Sequence, residues 1–587
     1  MANLYPSLEN INRLKVPPTE GELFLLTFLK DNLEDDFEVY FQPYLNGDRP
    51  DIVLMKEKSG AMIIEVKDWN LKNSIYKNSH FIKNKSPLDQ VYFYKKNLFN
   101  LHIKGLLELK IENPKLDLLI SCAVYFHKAK KEDIVEFEKQ KRATAARKNI
   151  ELIVADSLTT TNFKEILFEK GLYRESNDFT NELYKSFKRY LQPSLHTIED
   201  GIPIIFTKRQ KNLTVSQPGE QKIKGVVGSG KTLVMARRAV SAHKRTKNHV
   251  LLLTYNITLI NYIHDKISDV REEYDWKYFH IVNYHQFFKA EANNHGLKRK
   301  SFENELFYED VKDEIVKYDA IFIDEVQDYK IEWLRIIKKY FLADGGEFVL
   351  FGDEKQNIYE RDMESDRKPK TNVIGRWKEL NESFRLTTRI ADIAIKYQKY
   401  FFSEKYDFDN IKVIKQKTIA DFGHEKPYFE YYFLADGPDS LSQVHKKVYA
   451  ISTKLNIQPN DICILSSKKQ TLIDLDFVIR SDTNEKTEMM CVTKEVSESV
   501  NNDKLERIEK SKKLHFWMNS GTMKLSTIHS FKGLEISTLF LIIEKNPAID
   551  NHEELIYTGI TRCIRNLVVI NIGHPKYDSF FKKIERT

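Results

Sequence analysis

Residues 223–240 read IKGVVGSGKTLVMARRAV, a glycine-rich loop between a short apolar run and a segment with helical character. The loop fits the pattern G-x-x-x-x-G-K-[ST], in which small residues let backbone N–H groups point inward around a polyphosphate. The following helix adds the positive end of its dipole. Lys231 would reach the β and γ phosphates, and the Thr232 hydroxyl would ligate a magnesium ion. A chance glycine turn is the alternative, so the rest of the chain decides. The pattern residues are Gly225, Gly228, Ser229, Gly230, Lys231 and Thr232.

Two apolar segments that end in polar residues follow the loop. Residues 318–328 read YDAIFIDEVQD, and residues 348–360 read FVLFGDEKQNIYE. Parallel strands deliver such residues to the carboxyl edge of a sheet, where nucleotides bind. Asp324 would hold the magnesium through water, and Glu325 would orient or deprotonate the attacking water. An Asp-Glu pair after an apolar strand is common by itself, but the phosphate loop before it makes the combination specific.

The segments GVVGSGKT, DEVQD and GDEKQ, in this order, resemble the motor core of superfamily 1A helicases, the UvrD and Rep group. The resemblance extends to NESFRLTTRI, STIHSFKGLE and IYTGITRC, and it covers the chain from about residue 200 to its end. It implies that Phe384 stacks on adenine, that Arg385 contacts the γ-phosphate and that Arg562 is an arginine finger. It also implies ATP as the cofactor and places Gln356 and Glu535 at the nucleotide.

The same resemblance assigns the adenine-reading glutamine and the DNA track. TKRQKNL places Gln210 where the family carries that glutamine, with Gln217 as a weaker candidate. LLLTYNITL and IVNYHQFF resemble the two segments that bind single-stranded DNA, on which aromatic side chains can stack with bases of any sequence. The alternative is that the tyrosines are core residues at strand ends. The implied DNA contacts are Tyr255, Asn256, Tyr284, His285, Tyr359 and His529.

Two features depart from the family pattern. Relatives carry a tryptophan soon after the Gln-x-Ile-Tyr segment, whereas Tyr359 is followed here by Glu360 and Arg361, so we expect one base-stacking contact to be missing. The inserted regions, at about residues 287–317 and 468–522, are also small. We therefore expect a motor that translocates well and separates duplex poorly.

The first part of the chain carries a second polar pattern. TEGELFLLTFLKDNL predicts an amphipathic helix with Glu22 near its start. Asp51 leads one apolar strand, and Glu65 and Lys67 alternate with apolar residues on the next, which puts both side chains on one face. Two such carboxylates can ligate one or two divalent cations, and the lysine can position water and offset phosphate charge. A strand with ordinary outward polar residues is the simpler alternative.

The pattern D-x13-E-x-K resembles the PD-(D/E)XK nuclease fold. SPLDQVYFYKKNL supplies Gln90 and Tyr94 in the Q-x-x-x-Y arrangement of its RecB-like branch. With Gly21 and Glu22 in front, this region is most similar to the nuclease-related domain (NERD) that often precedes such helicases. The resemblance implies a nuclease that uses Mg²⁺, or alternatively Mn²⁺, bound by Asp51 and Glu65. The implied catalytic residues are Asp51, Glu65, Lys67, Glu22 and Gln90, with Glu20 as an alternative to Glu22.

Length and composition bound the class of protein. The chain has 587 residues, too many for one core, and a hydrophobic content of 41% that can fill several. A net charge of +7 is too small to argue for nucleic acid by itself. No run approaches the about 18 apolar residues that span a bilayer, and no secretion signal opens the chain, so we expect a cytoplasmic protein without a membrane partner. The four cysteines show no metal-binding or disulfide spacing.

We therefore predict an α/β protein with an N-terminal PD-(D/E)XK-type domain at residues 1–175 and a helical linker at 176–200. Two RecA-like parallel-sheet lobes with small accessory insertions follow, lobe 1 at 201–375 and lobe 2 at 376–587. ATP would lie in the cleft between the lobes, where arginines of lobe 2 reach the γ-phosphate when the lobes close.

The predicted function is an ATP-dependent DNA helicase or translocase that carries its own DNA nuclease, in DNA processing or in defence against foreign DNA. Travel from 3′ to 5′ is implied by the family resemblance. Two alternatives stay open: an ATP-gated nuclease that cuts without processive unwinding, and a motor whose N-terminal domain binds DNA without cutting it. The sequence leaves open DNA against RNA, the protein partners and the oligomeric state.

Overall fold

The computed structural model describes residues 1–71, 86–99, 106–143, 147, 149–226, 228–298, 302–353, 370–384, 386–403, 412–413, 427–483, 485–545 and 552–586. The strands are β1 (Asn3–Tyr5), β2 (Phe37–Phe41), β3 (Ile52–Lys56), β4 (Gly60–Lys67), β5 (Ile120–Phe126), β6 (Ile150–Val154), β7 (Gly219–Gly225), β8 (Val250–Thr254), β9 (Phe279–Asn283), β10 (Tyr318–Ile323), β11 (Leu342–Gly352), β12 (Lys378–Leu380), β13 (Glu382–Ser383), β14 (Lys412–Val413), β15 (Phe429–Leu434), β16 (Ile462–Ser466), β17 (Thr487–Met489), β18 (Met523–Thr527), β19 (Ile536–Glu544) and β20 (Cys563–Ile572). The α-helices are α1 (Leu8–Ile11), α2 (Glu20–Asn32), α3 (Pro87–Asn97), α4 (Leu106–Glu112), α5 (Val135–Ala143), α6 (Thr160–Glu169), α7 (Asn181–Leu191), α8 (Leu195–Asp200), α9 (Lys208–Leu213), α10 (Lys231–Thr246), α11 (Leu259–Ser268), α12 (Tyr284–Asn294), α13 (Ile331–Ile336), α14 (Thr388–Phe401), α15 (Ser440–Lys454), α16 (Lys469–Thr483), α17 (Lys494–Ser499), α18 (Asn502–Leu514), α19 (Ile528–Phe531), α20 (His552–Ile560) and α21 (Pro575–Glu585).

The N-terminal sheet has six strands in the order β1-β2-β3-β4-β5-β6, with antiparallel pairing from β2 to β4 and parallel pairing from β4 to β6. Its strands are apolar on both faces, so both faces need covering. Helix α2 buries Leu25 against one face, in the same apolar cluster as Ile52 and Ile64. Helix α3 buries Val91 against the other face, in a cluster with Val53 and Ile63. The sheet is therefore covered by helices on both faces.

Lobe 1 contains a second six-stranded sheet, in the order β12-β7-β11-β10-β8-β9, in which every pairing is parallel. Parallel strands that are covered on both faces read as continuous apolar runs, as VLLLT in β8 does. The glycine-rich loop follows β7 and leads into α10, while β10 ends immediately before Asp324. The carboxyl edge of this sheet therefore brings the phosphate loop and the acidic residues together.

Lobe 2 contains a third six-stranded sheet, in the order β15-β20-β19-β16-β18-β17, again with every pairing parallel. The two parallel sheets and the mixed N-terminal sheet confirm the predicted fold class of an α/β domain followed by two RecA-like lobes. The predicted domain limits stay predictions. None of the helices in the described ranges combines the length and the apolarity that crossing a bilayer requires.

Candidate nucleotide and nuclease sites

The phosphate loop has the backbone shape that its glycines allow. Gly228 has a φ of 71° and Gly230 a φ of 78°, a left-handed conformation that side chains with a Cβ rarely adopt. Lys231 opens helix α10, and its Nζ donates to the Gly225 carbonyl at 2.7 Å and lies 3.8 Å from an Asp353 carboxylate oxygen. A lysine that bonds to its own loop can exchange that carbonyl for a phosphate oxygen.

Three hydroxyl groups around the loop indicate a polar ligand. Among the described residues, Ser229 Oγ, Ser383 Oγ and Thr387 Oγ1 are buried without a hydrogen-bond partner. A Cβ at Gly228 would lie 2.6 Å from Ser383 Oγ, and one at Gly225 would lie 2.4 Å from Ser229 Oγ, so these two hydroxyls are close to the loop backbone. Buried hydroxyls normally find partners, because leaving them unpaired costs about 1–3 kcal/mol each. The phosphates of a nucleotide would satisfy them.

The acidic residues after β10 face the threonine of the loop. Thr232 Oγ1 lies 3.4 Å from Asp324 Oδ2, and burial together with the neighbouring Glu325 charge raises the pKa of Asp324 to about 7. Glu325 has a left-handed backbone with a φ of 52°, and its carboxylate accepts a hydrogen bond from Gln327. A hydroxyl and a carboxylate that converge in excess negative charge fit a magnesium ion, which favours oxygen ligands.

The base end of the site contains two of the predicted residues. Gln210 is buried, and its Nε2 donates to the Ser229 carbonyl at 3.0 Å while its Oε1 accepts from the Thr207 N–H. The Phe384 N–H donates to the Gly228 carbonyl at 3.0 Å. A cavity of about 950 Å³ is lined by Gln210, Phe384 and the loop. The predicted adenine contacts therefore adjoin one cavity beside the phosphate loop.

The predicted residues of lobe 2 are placed less directly. Arg562 is buried, and its guanidinium donates to the carbonyls of Thr558 and Leu534 at 3.2 and 3.3 Å, within lobe 2. Glu535 is half-buried, immediately before β19. The structure does not place the Arg562 guanidinium against the cavity, so the arginine-finger role stays a prediction. Gln356, Tyr359 and Arg385 lie outside the described residues.

A basic groove lies at the predicted DNA side. A cavity of about 250 Å³ is lined by Tyr255 and His285, as the sequence led us to expect, and also by lysines that the sequence analysis missed. Lys289 comes from α12, whereas Lys510 and Lys513 come from α18, in the small insertion of lobe 2. The charged sequence NDKLERIEKSKKL of α18 mixes both signs, so only the fold shows which lysines face the groove.

The other predicted DNA contacts have different surroundings. Tyr284 is a correction: its side chain is 1% exposed and stacks on Trp333 in the core, so it is closed to DNA in this structure. Asn256 lines the groove, but its Nδ2 donates to the Ser530 carbonyl at 2.9 Å and joins the two lobes. His529 is half-buried, and burial together with Lys532 lowers its pKa, which keeps the ring neutral near pH 7.

The N-terminal acids also converge. Asp51 Oδ2 accepts from the Val66 N–H at 2.7 Å, and Lys67 Nζ contacts Glu65 Oε1. Burial and the Glu65 charge raise the pKa of Asp51 to about 8, and burial raises the pKa of Glu65. The Glu22 charge also raises the pKa of both groups. The three carboxylates are therefore close enough to repel one another in a buried place.

Such a site fits a divalent cation. In the described part of the chain Glu65 Oε2 is buried with no hydrogen-bond donor, and it would be satisfied as a metal ligand. No group of three or more His, Cys, Asp or Glu residues forms a metal-ligand set within the described ranges. Asp51 and Glu65 would therefore share the ion with water or with substrate phosphate, as metals in open catalytic sites do.

Helix α2 settles which glutamate faces the acids. Glu22 caps the helix by accepting from the Thr19 N–H at 2.7 Å, and its other oxygen accepts from Gln42 Nε2 at 2.9 Å. Glu20, the alternative, is exposed and pairs with Lys128. Gln90 donates to Tyr94 OH at 3.0 Å, and burial, with smaller contributions from the Glu65 and Asp51 charges, raises the pKa of Tyr94 to about 12. The Q-x-x-x-Y pair therefore lies near the same acidic site.

Comparisons with known proteins match two separate parts of the chain. The family model of the nuclease-related domain, NERD, matches residues 18–127, and the model of an AAA domain, AAA_19, matches residues 212–362. No curated protein matches the chain. Among solved structures, the chain is similar to the Arterivirus nonstructural protein 10 helicase in complex with DNA, at 11% identity over 68% of each chain and a TM-score of 0.27. The chain therefore matches a nuclease-related domain followed by an AAA domain, and the resemblance to a nuclease-related domain in front of a nucleotide-binding motor is confirmed to that extent.

Proposed function

We propose that the chain is an ATP-dependent DNA helicase or translocase fused to a metal-dependent DNA nuclease. The observation that carries this proposal is the short path from the nucleotide acids to the lobe interface. Asp324 and Glu325 directly follow β10, and shortly after them Asp328 forms a buried ion pair with Lys532 of lobe 2, at 2.6 Å. Lys532 belongs to the segment that carries His529 and meets Asn256 at the groove. A change at the nucleotide can therefore move the lobes against each other at the DNA side.

Each residue of the motor has a defined task in this proposal. Bound ATP with Mg²⁺ supplies the phosphoryl group and the charge neutralisation that hydrolysis needs. Lys231 and the loop amides hold the phosphates, while Thr232 and Asp324 hold the metal. Glu325 accepts the proton of the attacking water, because its carboxylate is fixed by Gln327 beside the loop. Arg385 and Arg562 would complete the site on closure of the lobes.

In the nuclease, Asp51 and Glu65 would hold Mg²⁺ or Mn²⁺, and the ion would supply the activation of water that phosphodiester hydrolysis needs. Lys67 lies beside Glu65 and offsets the negative charge that the phosphate brings. Glu22 and Gln90 border the same acids and position the substrate or its water. The groove with Lys289, Lys510 and Lys513 supports a single-stranded DNA track, and the role would be DNA processing or defence against foreign DNA, with travel from 3′ to 5′.

The test uses purified protein with linear and circular DNA, with and without ATP and Mg²⁺, and follows ATP hydrolysis, strand displacement and cleavage together. Lys231→Ala should abolish ATP hydrolysis and strand displacement. Glu65→Ala should abolish cleavage and leave ATP hydrolysis intact. ATP hydrolysis by Lys231→Ala would show that the pocket is misplaced, and unchanged cleavage by Glu65→Ala would show that the N-terminal domain only binds DNA.

A second candidate function is an ATP-gated nuclease without processive travel. The small accessory insertions favour it, because little structure is present to separate strands. In that case cleavage would respond to ATP yet show no dependence on the length of the DNA track, and no strand displacement would accompany hydrolysis. A series of DNA lengths distinguishes the two candidates.

A further inference from the structure

The wall of the nucleotide cavity includes residues from outside the motor. The cavity beside the phosphate loop, about 950 Å³ in volume, is lined on one side by Gln210, Phe384 and the loop. On another side it is lined by the segment 12–14 of the N-terminal domain and by the linker helix α8 and the residues after it. The base and ribose of a nucleotide would therefore lie between the motor and the N-terminal domain.

Ion pairs hold this N-terminal segment against lobe 1. Lys15 contacts Asp269 of lobe 1 and lies 3.5 Å from Asp200 of the linker. Its own N–H donates to Asp200 Oδ2 at 3.0 Å. Arg271 of lobe 1 donates to the carbonyls of Arg13 and Asp200. The segment is thus fixed at the end of the lobe 1 helix α11 and cannot move without disturbing the cavity wall.

The linker also contacts lobe 2, through hydrogen bonds and an ion pair. Arg189 on α7 is buried, donates to the Ile457 carbonyl at 3.0 Å and pairs with Glu485 at 3.4 Å. The N–H of Leu195, which opens α8, donates to Asp461 at 2.8 Å. The N-terminal domain itself reaches lobe 2 through Asn46, whose Oδ1 accepts from the Lys486 N–H at 2.8 Å. The N-terminal domain therefore contacts both lobes, and a change in their separation acts on it.

A short covalent path leads from the cavity wall to the nuclease acids. The chain runs from Leu14 and the anchored Lys15 to Thr19, the cap of helix α2. Thr19 exchanges hydrogen bonds with Glu22 in a capping box, and Glu22 in turn accepts from Gln42, whose backbone N–H donates to the Asp51 carbonyl at 2.8 Å. A capping box fixes where a helix begins, so the position of the segment before it sets the position of Glu22.

We propose that the N-terminal segment 12–14 is part of the nucleotide-binding site, and that a bound nucleotide, through this segment, sets Glu22 in place and switches DNA cleavage on. The proposal rests on the proposed function and adds its regulation: the adenosine end of the nucleotide is read by the nuclease domain. Binding alone is sufficient, because the contact is made at the base end and needs no hydrolysis.

Hydrogen exchange tests the contact between the nucleotide and the N-terminal segment independently of DNA cleavage and ATP hydrolysis. The full chain is compared with and without the non-hydrolysable analogue AMP-PNP. We expect slower exchange of the amides in residues 8–16 and at the start of α2 when the analogue is bound, since their hydrogen bonds open less often. Protection that is confined to the phosphate loop and α10 would overturn the proposal.

A cleavage assay tests whether bound nucleotide regulates the nuclease. With Mg²⁺ and AMP-PNP the wild-type chain should cut DNA about fivefold faster or more than without nucleotide, which is an ordinary size for coupling between two sites. An unchanged or slower rate would overturn the proposal. Lys15→Ala should lose most of this increase while it hydrolyses ATP like the wild type, because Lys15 holds the segment and lies outside both sites. The matched control is Lys164→Ala, which removes an exposed ion pair with Glu34 in the same domain and should keep the increase.

The two proposals fail in different ways. If the chain cuts no DNA under any condition, the proposed nuclease is wrong, and the exchange experiment alone decides whether the segment binds nucleotide. If the chain cuts DNA and hydrolyses ATP but neither exchange nor cleavage responds to AMP-PNP, the proposed function stands and the coupling is wrong.

Discussion

At the scale of single residues, Glu325 has the most defined surroundings in the motor. It is buried, its backbone is held in a left-handed turn, and Gln327 donates to its carboxylate. A buried carboxylate that is fixed beside a phosphate loop can take a proton from water, and such catalysis contributes about 10²–10⁴-fold to a rate. Glu325→Gln should therefore lower kcat for ATP by about that factor. Binding of a fluorescent ATP analogue should stay near the wild-type affinity, because the phosphate contacts remain.

The control for this variant is Glu332→Gln, on the helix that follows, which removes one charge outside the nucleotide site and should leave kcat unchanged. A normal kcat in Glu325→Gln would assign the water-activating role to another group.

Gly21 gives a prediction for the nuclease domain. A Cβ at this position would lie 2.3 Å from Asp68 Oδ1 and 2.8 Å from the His127 Cβ. Alanine is favoured over glycine in a helix by about 1 kcal/mol, whereas overpacking costs about 1–3 kcal/mol. The clash is with the His127 Cβ, which is bonded directly to the backbone and cannot rotate away. We therefore expect the overpacking cost to exceed the gain in helix propensity. Gly21→Ala should destabilise the N-terminal domain by about 1 kcal/mol. The shift of neighbouring Glu22 should slow DNA cleavage by about tenfold or more, with ATP hydrolysis unchanged.

Gly437→Ala provides the comparison, because a Cβ there would meet no atom within 4 Å among the described residues. It should match the wild type in melting temperature and cleavage. Equal cleavage by Gly21→Ala and wild type would show that α2 tolerates displacement and that Glu22 is not needed in this position.

The sequence could predict those site residues whose types and spacing form a short local motif. The G-x-x-x-x-G-K-[ST] loop and the alternation around Glu65 fix both a residue type and a direction, and the structure brings Thr232 to Asp324 and Glu22 to Asp51. For Tyr284 the sequence left two readings open, a DNA contact and a core residue at a strand end, because the pattern shows an aromatic residue after a strand but not the Trp333 ring that covers it.

At the scale of secondary structure elements, the lobes meet where the segment after β10 contacts the segment after β18. Asp328 and Lys532 form an ion pair in which both side chains are nearly inaccessible to solvent. Removing one member of a buried pair costs about 3–5 kcal/mol, because the other charge loses its partner. Lys532→Met should therefore weaken the lobe contact strongly and lower the melting temperature. Because the same contact links the nucleotide acids to the groove, stimulation of ATP hydrolysis by single-stranded DNA should also be lost.

A double-mutant cycle separates this pair from general damage. Asp328→Asn combined with Lys532→Met leaves no unpaired charge of the pair, so the double variant should be more stable than Lys532→Met alone. Additive losses of stability would show that the two side chains do not interact. DNA stimulation should stay absent in the double variant, since the link between the lobes is not restored.

The elements themselves were predictable where hydrophobic periodicity is strong. The continuous apolar runs of the two lobes indicate buried parallel strands, and the apolar strands that carry Asp51 and Glu65 indicate a covered sheet. The sequence could not show the order of strands in each sheet, because neighbouring strands such as β7 and β11 are far apart in the chain and their pairing depends on contacts made only in the fold.

At the scale of the whole molecule, the docking of the N-terminal domain on the two lobes is a feature that no sequence pattern predicted. Its contacts with the lobes include ion pairs, such as Arg189 with Glu485 and Lys15 with Asp269, between residues that look like ordinary surface charges in the sequence. The nuclease-related domain therefore touches both lobes, through Lys15 with Asp269 of lobe 1 and Asn46 with Lys486 of lobe 2.

The basic groove also depends on the whole molecule, since one side comes from lobe 1 and the other from the small insertion of lobe 2. Lys510 and Lys513 lie on α18, which is held to lobe 1 because Asn261 Nδ2 donates to the carbonyls of Leu514 and Phe516 at 2.8 and 2.9 Å. Burial lowers the pKa of Lys513, because the charged ammonium form is destabilised away from water. A DNA phosphate beside this group would stabilise the charged form.

If both lysines contact phosphates, replacing them should change how the affinity for single-stranded DNA depends on salt. Each lost phosphate contact should reduce the slope of log K against log salt by about 0.7, so Lys510→Ala with Lys513→Ala should lower it by about 1.4. Affinity should fall equally for all base sequences, because phosphate contacts carry no sequence information. Lys504→Ala, at the exposed start of the same helix, should keep the wild-type slope. An unchanged slope in the double variant would place the DNA track away from this groove and would remove the support that α18 gives to the motor.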